Sequence, residues 1–221
     1  MSESLGSRSA AAAGDVTSRT RNELIDAGER LYALRGIEGA NLLAIAREAG
    51  QANKSAVQYH FGDRNGLIRA ILDSRVQWLE ARRAERLAEA APEPTLHALL
   101  EMVMLPIAEL VDARGRHTYA RFLLQFMIQF EPWEGVQHPL RRPHPETALD
   151  QIRHHLRART PHLSRERLFL RLDWCLRTFL GLLIDRDNQI ARGHSGIDLD
   201  GLIAEAIDIG VATLMLPARR S

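Results

Sequence analysis

The chain has 221 residues, 45% hydrophobic residues and a formal net charge of +1. This length allows one large or two small domains with a real core. The near-neutral charge means that composition alone does not indicate a nucleic-acid-binding protein. The single cysteine, Cys175, excludes an internal disulfide and fits a reducing cytosol. The sequence has no apolar run of about 18 residues, so we expect a cytoplasmic protein without a membrane span. Residues 1–15 lack the apolar core of a signal peptide and are predicted to form a disordered arm.

Apolar residues recur at helical spacing through the N-terminal part of the chain. The pattern predicts a first helix from about Ser18 to Arg35, a second over 42–49 and a third over about 54–60. Asn41 can cap the second helix, and Gly50 closes it where the chain must turn left-handed. A helix, a glycine-containing turn and a second helix with polar tips form the helix-turn-helix pattern, whose second helix enters the DNA major groove.

The remainder of the sequence is also predicted to be helical. A fourth helix should run from about residue 63 to 90, and its last ten residues, ARRAERLAEA, are polar and expected to be exposed. Pro106 should kink or break the fifth helix. A loop is predicted over 131–145, and the other helices over 95–114, 116–130, 146–159, 164–192 and 199–216. No alternating strand pattern occurs, so the predicted fold is all-α with about nine helices.

Two segments carry a resemblance to a known family. They are RNELIDAGERLYALRGIEGANLLAIAREAG, from residue 21, and SAVQYHFGDRNGLIRAIL, which ends at residue 72. Together they resemble the TetR family of bacterial transcriptional regulators, with its I-A-x-x-A-G second helix and Y-H-F third helix. The turn from Gly50 to Lys54 is one residue longer than the commonest family form, and Leu43 replaces a frequent polar residue. The resemblance implies a three-helix DNA-binding domain at 16–75 and a larger helical effector-binding and dimerisation domain at 76–221.

Polar side chains on and beside the second and third helices are candidates for contact with double-stranded DNA. Gln58 can bond adenine in a bidentate way, Lys54 can meet guanine or phosphate, and a hydroxyl can bond phosphate oxygens. The resemblance implies that Tyr59 and His60 clamp the backbone while Gln58 faces the bases. The alternative is that these residues are solvated polar groups without a partner. The candidates are Asn41, Arg47, Lys54, Ser55, Gln58, Tyr59, His60 and Arg64.

A homodimer is expected because one such unit offers too few base-reading side chains. Two units on a pseudo-palindrome, one helical turn apart, would supply enough discrimination. The last two helices carry apolar faces, and the resemblance implies that two helices from each partner form a four-helix bundle. The alternative is that these faces bury only against their own domain. The predicted interface residues are Leu172, Leu176, Phe179, Leu183, Leu202, Ile209 and Thr213.

The resemblance also implies a small-molecule effector that is apolar or amphipathic and that promotes release of DNA. A suitable cavity needs apolar walls with a few polar groups, and a ligand there could shift the fourth helix. The alternative is that these large side chains are ordinary core. The principal candidates are Met102, Val103, His117, Arg121, Phe122, Phe126, Trp133 and Trp174, and further candidates are Met104, Tyr119, Gln125 and Met127.

No arrangement of residues indicates catalysis, a cofactor or a metal. Histidines 138, 144, 154, 155 and 162 cluster in the sequence, but neighbouring residues on a helix diverge and cannot easily share one metal. Cys175 lies in an apolar run and should be an inert core residue. We therefore predict a ligand-responsive repressor and not an enzyme. The alternative is an all-helical interaction or lipid-binding protein whose helix-turn-helix has lost DNA binding.

Overall fold

The computed structural model describes residues 3–130, 147–194 and 198–217, with side chains from Thr17 onward. These residues contain nine α-helices and no strand, which confirms the predicted all-α class. The helices are α1 (Glu3–Arg35), α2 (Leu42–Glu48), α3 (Ser55–Phe61), α4 (Arg64–Glu89), α5 (Leu96–Ala108), α6 (Thr118–Gln129), α7 (Ala148–Arg159), α8 (Arg165–Ala191) and α9 (Leu199–Met215).

Local hydrogen bonds fix the ends of the short helices. The side-chain oxygen of Asn41 accepts a bond from the backbone N–H of Ala44 at 2.8 Å, which starts α2 as predicted. The side-chain oxygen of Asn53 accepts from the N–H of Ser55 at 2.8 Å and starts α3. Gly50 has a φ of 72°, in the left-handed region that the sequence predicted there. The turn between α2 and α3 is therefore specified by residues within a few positions of it.

Two helix boundaries differ from their predictions. α1 begins at Glu3, well before the predicted start at Ser18, so most of the predicted disordered arm is drawn as helix. The alanine-rich run of this segment favours helix strongly. α5 ends at Ala108, before the predicted residue 114. Pro106 cannot donate a helical hydrogen bond, and the chain then turns at Asp112, whose carbonyl accepts from the N–H of Gly115 at 2.8 Å.

One continuous hydrophobic core runs through both ends of the molecule. α1 packs against α6, where the rings of Tyr32 and Phe122 lie 6.3 Å apart, and it also packs against α4. Gly28 permits this second contact, because a Cβ there would lie 3.1 Å from Leu67 and 3.2 Å from Ile71. The helix-turn-helix is thus anchored to the rest of the protein through two long helices. The division at residues 75 and 76 remains a prediction.

The last two long helices, α8 and α9, pack along each other. At the C-terminal end of α9, the buried guanidinium of Arg171 donates to the carbonyls of Thr213 at 2.9 Å and Pro217 at 3.2 Å. Helix ends leave such carbonyls without intrahelical partners, so Arg171 fastens this end of α9 to α8. Among the described helices, none is long and apolar enough to cross a bilayer.

Candidate nucleic-acid interface and ligand cavity

The third helix turns most of its side chains outward. It buries only Val57 fully, while Ser55, Gln58 and Tyr59 are exposed. Tyr59 is 80% exposed, although burying a tyrosine ring would stabilise the fold. We call Lys54, Ser55, Gln58, Tyr59 and His60 the reading surface. It offers two hydroxyls, an amide, an ammonium group and an imidazole, all of which can bond phosphate oxygens or base edges.

The imidazole of His60 lies at the edge of this surface. Its ring centroid is 5.0 Å from that of Tyr59 and 5.9 Å from that of Phe61. Partial burial, reinforced by the nearby charge of Arg21, lowers the pKa of His60 below its ordinary value. His60 is therefore neutral at pH 7 and offers a neutral N–H group.

Arg21 belongs to α1 and was not among the predicted DNA contacts. Its guanidinium carbon lies 5.3 Å from the centre of the Phe61 ring, so α1 brings a cation to the end of α3. The sequence shows only that Arg19 and Arg21 precede the apolar stripe of α1. Their position beside the third helix follows from tertiary packing, which the local pattern does not reveal.

The other predicted DNA contacts surround the reading surface and differ in their exposure and hydrogen-bond partners. Arg47 is exposed on α2, where within the described residues no ion pair involves it. Asn41 uses its side-chain oxygen for the cap, which leaves its amide N–H₂ group for a phosphate. Arg64 donates to the carboxylate of Glu38 at 2.9 Å and is half-buried. Arg64 therefore tethers α4 to the turn before α2, and it would have to leave Glu38 to reach DNA.

A cavity of about 120 Å³ lies among α4, α5, α6, α7 and α8. Its walls are mainly aliphatic, with one tyrosine, one phenylalanine and three charged side chains. Half-exposed Phe169 and Arg153 are among its walls, so we place its mouth between α7 and α8. The lining residues are Leu79, Arg83, Leu100, Val103, Met104, Ile107, Tyr119, Leu123, Met127, Leu149, Arg153, Leu156, Phe169, Leu172, Asp173 and Leu176.

Two polar groups in this wall are buried without a full set of partners. Arg83 is 2% exposed; it donates to Glu80 at 3.0 Å, while its Nε has no hydrogen-bond partner. The Tyr119 hydroxyl is also buried and has no partner. Burial lowers the pKa of Arg83, although Glu80 opposes this, and burial raises the pKa of Tyr119. Buried donors left unsatisfied cost free energy, so both groups mark a site that a ligand could complete.

Tyr119 also borders a second, polar pocket between α1, α4 and the turn before α6. There the carboxylate of Glu29 on α1 accepts from Nε and Nη2 of Arg75 on α4 at 3.0 and 2.9 Å. Burial raises the pKa of Glu29, and Arg75 reduces this effect without removing it. The tyrosine thus lies between the apolar cavity and the contact that joins α1 to α4.

Residues 24–71 match the model of the family described as bacterial regulatory proteins, tetR family. This segment contains α2 and α3 complete, with most of α1's apolar stripe and the start of α4. The match identifies this part of the chain as a tetR-family helix-turn-helix segment. This segment is the one that carries the reading surface.

Curated relatives match the same N-terminal part of the chain. One is the HTH-type transcriptional repressor AcnR of Corynebacterium glutamicum, 30% identical over 90 residues, or 41% of this chain and 45% of the relative. Another is the HTH-type transcriptional regulator TtgR of Pseudomonas putida, 33% identical over 99 residues, or 44% of this chain and 46% of the relative. The matches thus span less than half the length of either relative.

Solved structures share the fold over most of the chain. A transcriptional regulator from Rhodococcus sp. Rha1 has a TM-score of 0.50 and 22% identity, with coverage of 88% of this chain and 95% of the other. A gamma-butyrolactone receptor described as an ArpA-like protein has a TM-score of 0.52 and 16% identity, with coverage of 90% and 98%. At this level of identity the likeness shows the fold alone, which agrees with the predicted all-α class.

Most of the principal effector candidates do not line this cavity. Of that set, only Val103 lines the cavity, together with the further candidates Met104, Tyr119 and Met127. Met102, Phe122 and Phe126 are buried elsewhere in the core, and Trp133 lies outside the described residues. Large apolar residues are drawn to the best-packed positions, and these are not the walls of a void.

The predicted polar anchors also lie elsewhere. His117 is buried, and its Nδ1 lies 2.9 Å from a carboxylate oxygen of Asp187 on α8. Arg121 donates to Asn188 at 2.7 Å. Both side chains border a separate pocket between α1, α6 and α8. Arg83 is instead the buried basic group in the cavity wall, and sequence reasoning missed it because its neighbours in ARRAERLAEA are polar.

Three predicted interface residues are wrong for a contact with another subunit. Phe179 and Leu183 are 0% exposed and Leu202 is 5% exposed within a single chain, so they have almost no surface to share. Leu172 and Leu176 line the cavity, whereas Ile209 remains exposed on α9. The alternative of burial within the same domain therefore holds for three of the seven residues.

An exposed apolar face does exist on α8 and α9, and on α8 it lies two positions before the predicted residues. Leu170 and Trp174 are exposed along α8, and Trp174, predicted for the effector pocket, is 51% exposed. Ile209 and Leu216 are exposed along α9. Gly181 continues the α8 stripe into open space, because a Cβ there would meet no atom within 4 Å.

The residues considered for other chemistry have structural roles. Cys175 is buried between α8 and α9, and burial raises the pKa of its thiol to about 11, which makes it unreactive. His138 and His144 lie outside the described residues. Within the described part of the chain, no three histidine, cysteine, aspartate or glutamate side chains group together as a metal site would require.

Proposed function

We propose that the protein is a ligand-responsive transcriptional repressor that binds a pseudo-palindromic DNA site as a homodimer. The observation that carries this proposal is the reading surface on α3, with Tyr59 80% exposed inside the segment that matches the family model. Tyr59 contributes little to the core of the isolated chain, because most of its side chain is exposed beside exposed Gln58 and Ser55. Each of these side chains has a use against a DNA groove.

The division of roles follows from the chemistry of each group. Gln58 can donate to and accept from the edge of adenine, which makes it the base reader. Tyr59, Ser55 and the neutral His60 bond phosphate oxygens. Arg21, Arg47 and Lys54 add charge around the same surface. Only a few cations surround the reading surface, so its phosphate contacts alone would give weak binding. The proposal therefore requires two DNA-binding domains on one DNA site.

The homodimer is proposed to form through the exposed stripes of α8 and α9. Leu170, Trp174, Ile209 and Leu216 supply apolar area, while Gly181 lets two helices approach closely. Arg171 holds α9 against α8 and keeps the two stripes in one surface. Isologous contact of this surface with its copy would give a four-helix bundle and a two-fold axis, which matches a palindromic site.

The effector is proposed to act through α4. This helix carries Arg83 in the cavity wall and, at its other end, packs against α3. A ligand that prefers one position of α4 would favour one spacing of the two reading surfaces, because a ligand shifts an equilibrium only by its differential affinity for the two states. Binding of the effector would thereby release DNA.

DNA selection from random genomic fragments, followed by fluorescence anisotropy on the enriched site, tests the proposal. We expect Gln58→Ala and Tyr59→Ala each to weaken binding by about 10- to 100-fold, corresponding to the loss of about 1–3 kcal/mol. The exposed glutamine of α4 provides a matched control, and Gln77→Ala should bind like the wild type. Wild-type affinity in both reading-surface variants, or binding without sequence preference, would contradict the proposal.

Sedimentation velocity tests the dimer separately. Trp174→Glu places a charge in the proposed interface and should give monomers at micromolar concentration. Trp78 is a matched control because it is also partly exposed, at 38%, but lies on α4. Trp78→Glu should remain dimeric. A wild-type protein that sediments as a monomer would rule out this interface.

A further inference from the structure

The cavity walls contain two hydrogen-bond donors that have nothing to donate to. Nε of Arg83 and the hydroxyl of Tyr119 are both buried, and neither has a partner in the described protein. Both residues line the cavity and are 2% exposed. Burial without a hydrogen bond costs free energy for each group. A ligand that accepts from both would recover this free energy on binding.

The charge of Arg83 is only partly used inside the protein. Its Nη1 donates to one oxygen of Glu80 at 3.0 Å, and its Nη2 donates to the uncharged carbonyl of Val103 at 3.5 Å. The other oxygen of Glu80 accepts the backbone N–H of Leu149 at 3.2 Å, in the first turn of α7. The positive end of α7 therefore shares in stabilising the glutamate, which leaves part of the guanidinium charge for a second anion.

The remaining walls set the shape of the occupant. They are chiefly leucine, isoleucine, valine and methionine side chains, such as Leu100, Ile107 and Met127. Cavities of about 150 Å³ accept benzene, so a space of about 120 Å³ suits one small ring or a short branched chain. The half-exposed Phe169 at the mouth would lie over the end of such a molecule.

We propose that this cavity binds a compact amphipathic carboxylate, whose carboxylate group accepts hydrogen bonds from Arg83 Nε and the Tyr119 hydroxyl while its apolar body fills the aliphatic part. The inference names the chemical class of the effector and so rests on the proposed function. An ionised carboxylate is a pure acceptor, which suits two unpartnered donors. An amide also brings its own N–H₂ donors into an aliphatic wall, where they would have to be desolvated.

Isothermal titration calorimetry on the full chain, without DNA, tests this class with two acid and amide pairs. The probes are benzoate with benzamide, and phenylacetate with phenylacetamide. Charge-assisted hydrogen bonds are about twice as strong as neutral ones, so we expect the better acid to bind at least about tenfold more tightly than its amide. Equal or tighter binding of the amides, or no binding of either acid at about 10 mM, would overturn the proposal.

Variants assign the binding to these two donors. Tyr119→Phe removes one buried atom that bonds nothing in the protein, so it should fold, and it should weaken the better acid by about tenfold. Arg83→Met should weaken it further and abolish the preference over the amide. Tyr32→Phe is a matched control, because the Tyr32 hydroxyl is also buried without a partner but Tyr32 does not line the cavity. This variant should bind the acid like the wild type. Acid affinity unchanged in both Tyr119→Phe and Arg83→Met would also overturn the proposal.

Addition of the acids to the protein–DNA complex separates this inference from the proposed function. If the acids bind as expected but DNA stays bound, the ligand class holds and the effector response is wrong. If DNA is bound specifically and released by a neutral or cationic molecule, and the acids do not bind, the repressor stands and the carboxylate proposal fails.

Discussion

The reading surface and the cavity handle polar groups in opposite ways. On α3 the polar side chains point into water, and the helix ends are satisfied by Asn53 and by neighbouring backbone. In the cavity wall, Arg83 and Tyr119 are buried and keep donors without a protein partner. Exposed polar side chains cost the folded state little free energy. Buried donors without a partner lower its stability unless a ligand accepts their hydrogen bonds. The reading surface can therefore tolerate substitution without loss of fold, while the cavity region is coupled to stability.

The largest expected effect concerns the buried core on the cavity-containing side of the molecule. Phe179→Ala should lower the free energy of unfolding by about 3–5 kcal/mol, because it removes a fully buried ring. Urea denaturation at fixed protein concentration measures it, since the stability of a dimer depends on concentration. The folded variant should still sediment as a dimer, unlike Trp174→Glu. If the Phe179→Ala dimer dissociates into folded monomers with little change in stability, Phe179 contributes to the dimer interface.

The second prediction concerns the turn between α5 and α6. The carboxylate of Asp112 accepts from the N–H of Arg114 at 2.8 Å, from the guanidinium of Arg116 at 2.9 Å and from the hydroxyl of Thr118 at 2.8 Å. Burial alone would raise the pKa of Asp112, but these bonds outweigh it and hold the pKa well below its ordinary value. Asp112→Asn should cost about 1–3 kcal/mol at pH 7.

The stability difference between the wild type and Asp112→Asn should depend on pH in a defined direction. The folded pKa of Asp112 is depressed, so its contribution is present above the unfolded pKa of about 3.9 and is lost as the pH falls through the folded value. Urea titrations of the wild type and Asp112→Asn should therefore differ most at pH 5–7, and the difference should begin to shrink below about pH 4. Exposed Asp185 provides the control, and Asp185→Asn should match the wild type at each pH. A constant difference down to about pH 2 would show that ionisation of Asp112 is not the cause.

A third, smaller effect tests whether the local structure of α2 supports DNA binding by the reading surface. Asn41→Ala removes the α2 cap and should cost about 1 kcal/mol. Hydrogen exchange should show faster exchange in α2, and DNA affinity should fall because α2 supports α3. Thr95→Ala removes an equivalent cap from α5, where the Thr95 hydroxyl accepts from Ala98 N–H at 3.2 Å. It should cost a similar amount and leave DNA affinity unchanged; equal DNA defects in both variants would mean that global stability is responsible.

The smallest effect concerns His60. Its lowered pKa makes it neutral at pH 7, whereas a bound phosphate would favour the protonated form. DNA affinity of the wild type should therefore rise by about threefold as the pH falls from about 7.5 to 5.5. Anisotropy titrations with His60→Gln, which cannot titrate, should lack this increase. The same pH dependence in the variant would place the titrating group elsewhere.

The contrast between the two regions also explains what the sequence could predict. Caps and turns are local, so Asn41, Gly50 and the end of α1 at Arg35 follow from a few neighbouring residues. Periodicity likewise predicted the helix order. The cavity is assembled by five helices, and the burial of Arg83 inside a polar run depends on what packs above it.

The faces of α8 show a second limit of sequence reasoning. Its apolar residues exceed what one face can hold, so composition cannot decide which of them meet the core. Phe179 was assigned to a partner and lies in the core, while Trp174 was assigned to a pocket and lies outside. Only the direction from which α6 and α9 approach α8 fixes the phase of the helix.

The length of α4 has a mechanical consequence. Its 26 residues form a rod of about 39 Å, and Arg83 lies about 28 Å along it from Arg64. A tilt of about 5° pivoted at the cavity end would swing the far end by about 2.5 Å. In the proposed dimer, the N-terminal ends of the two α4 helices would have to match a half-site spacing of about 34 Å. A displacement too small to disturb the packing around a ligand is thereby amplified into a misfit at the grooves.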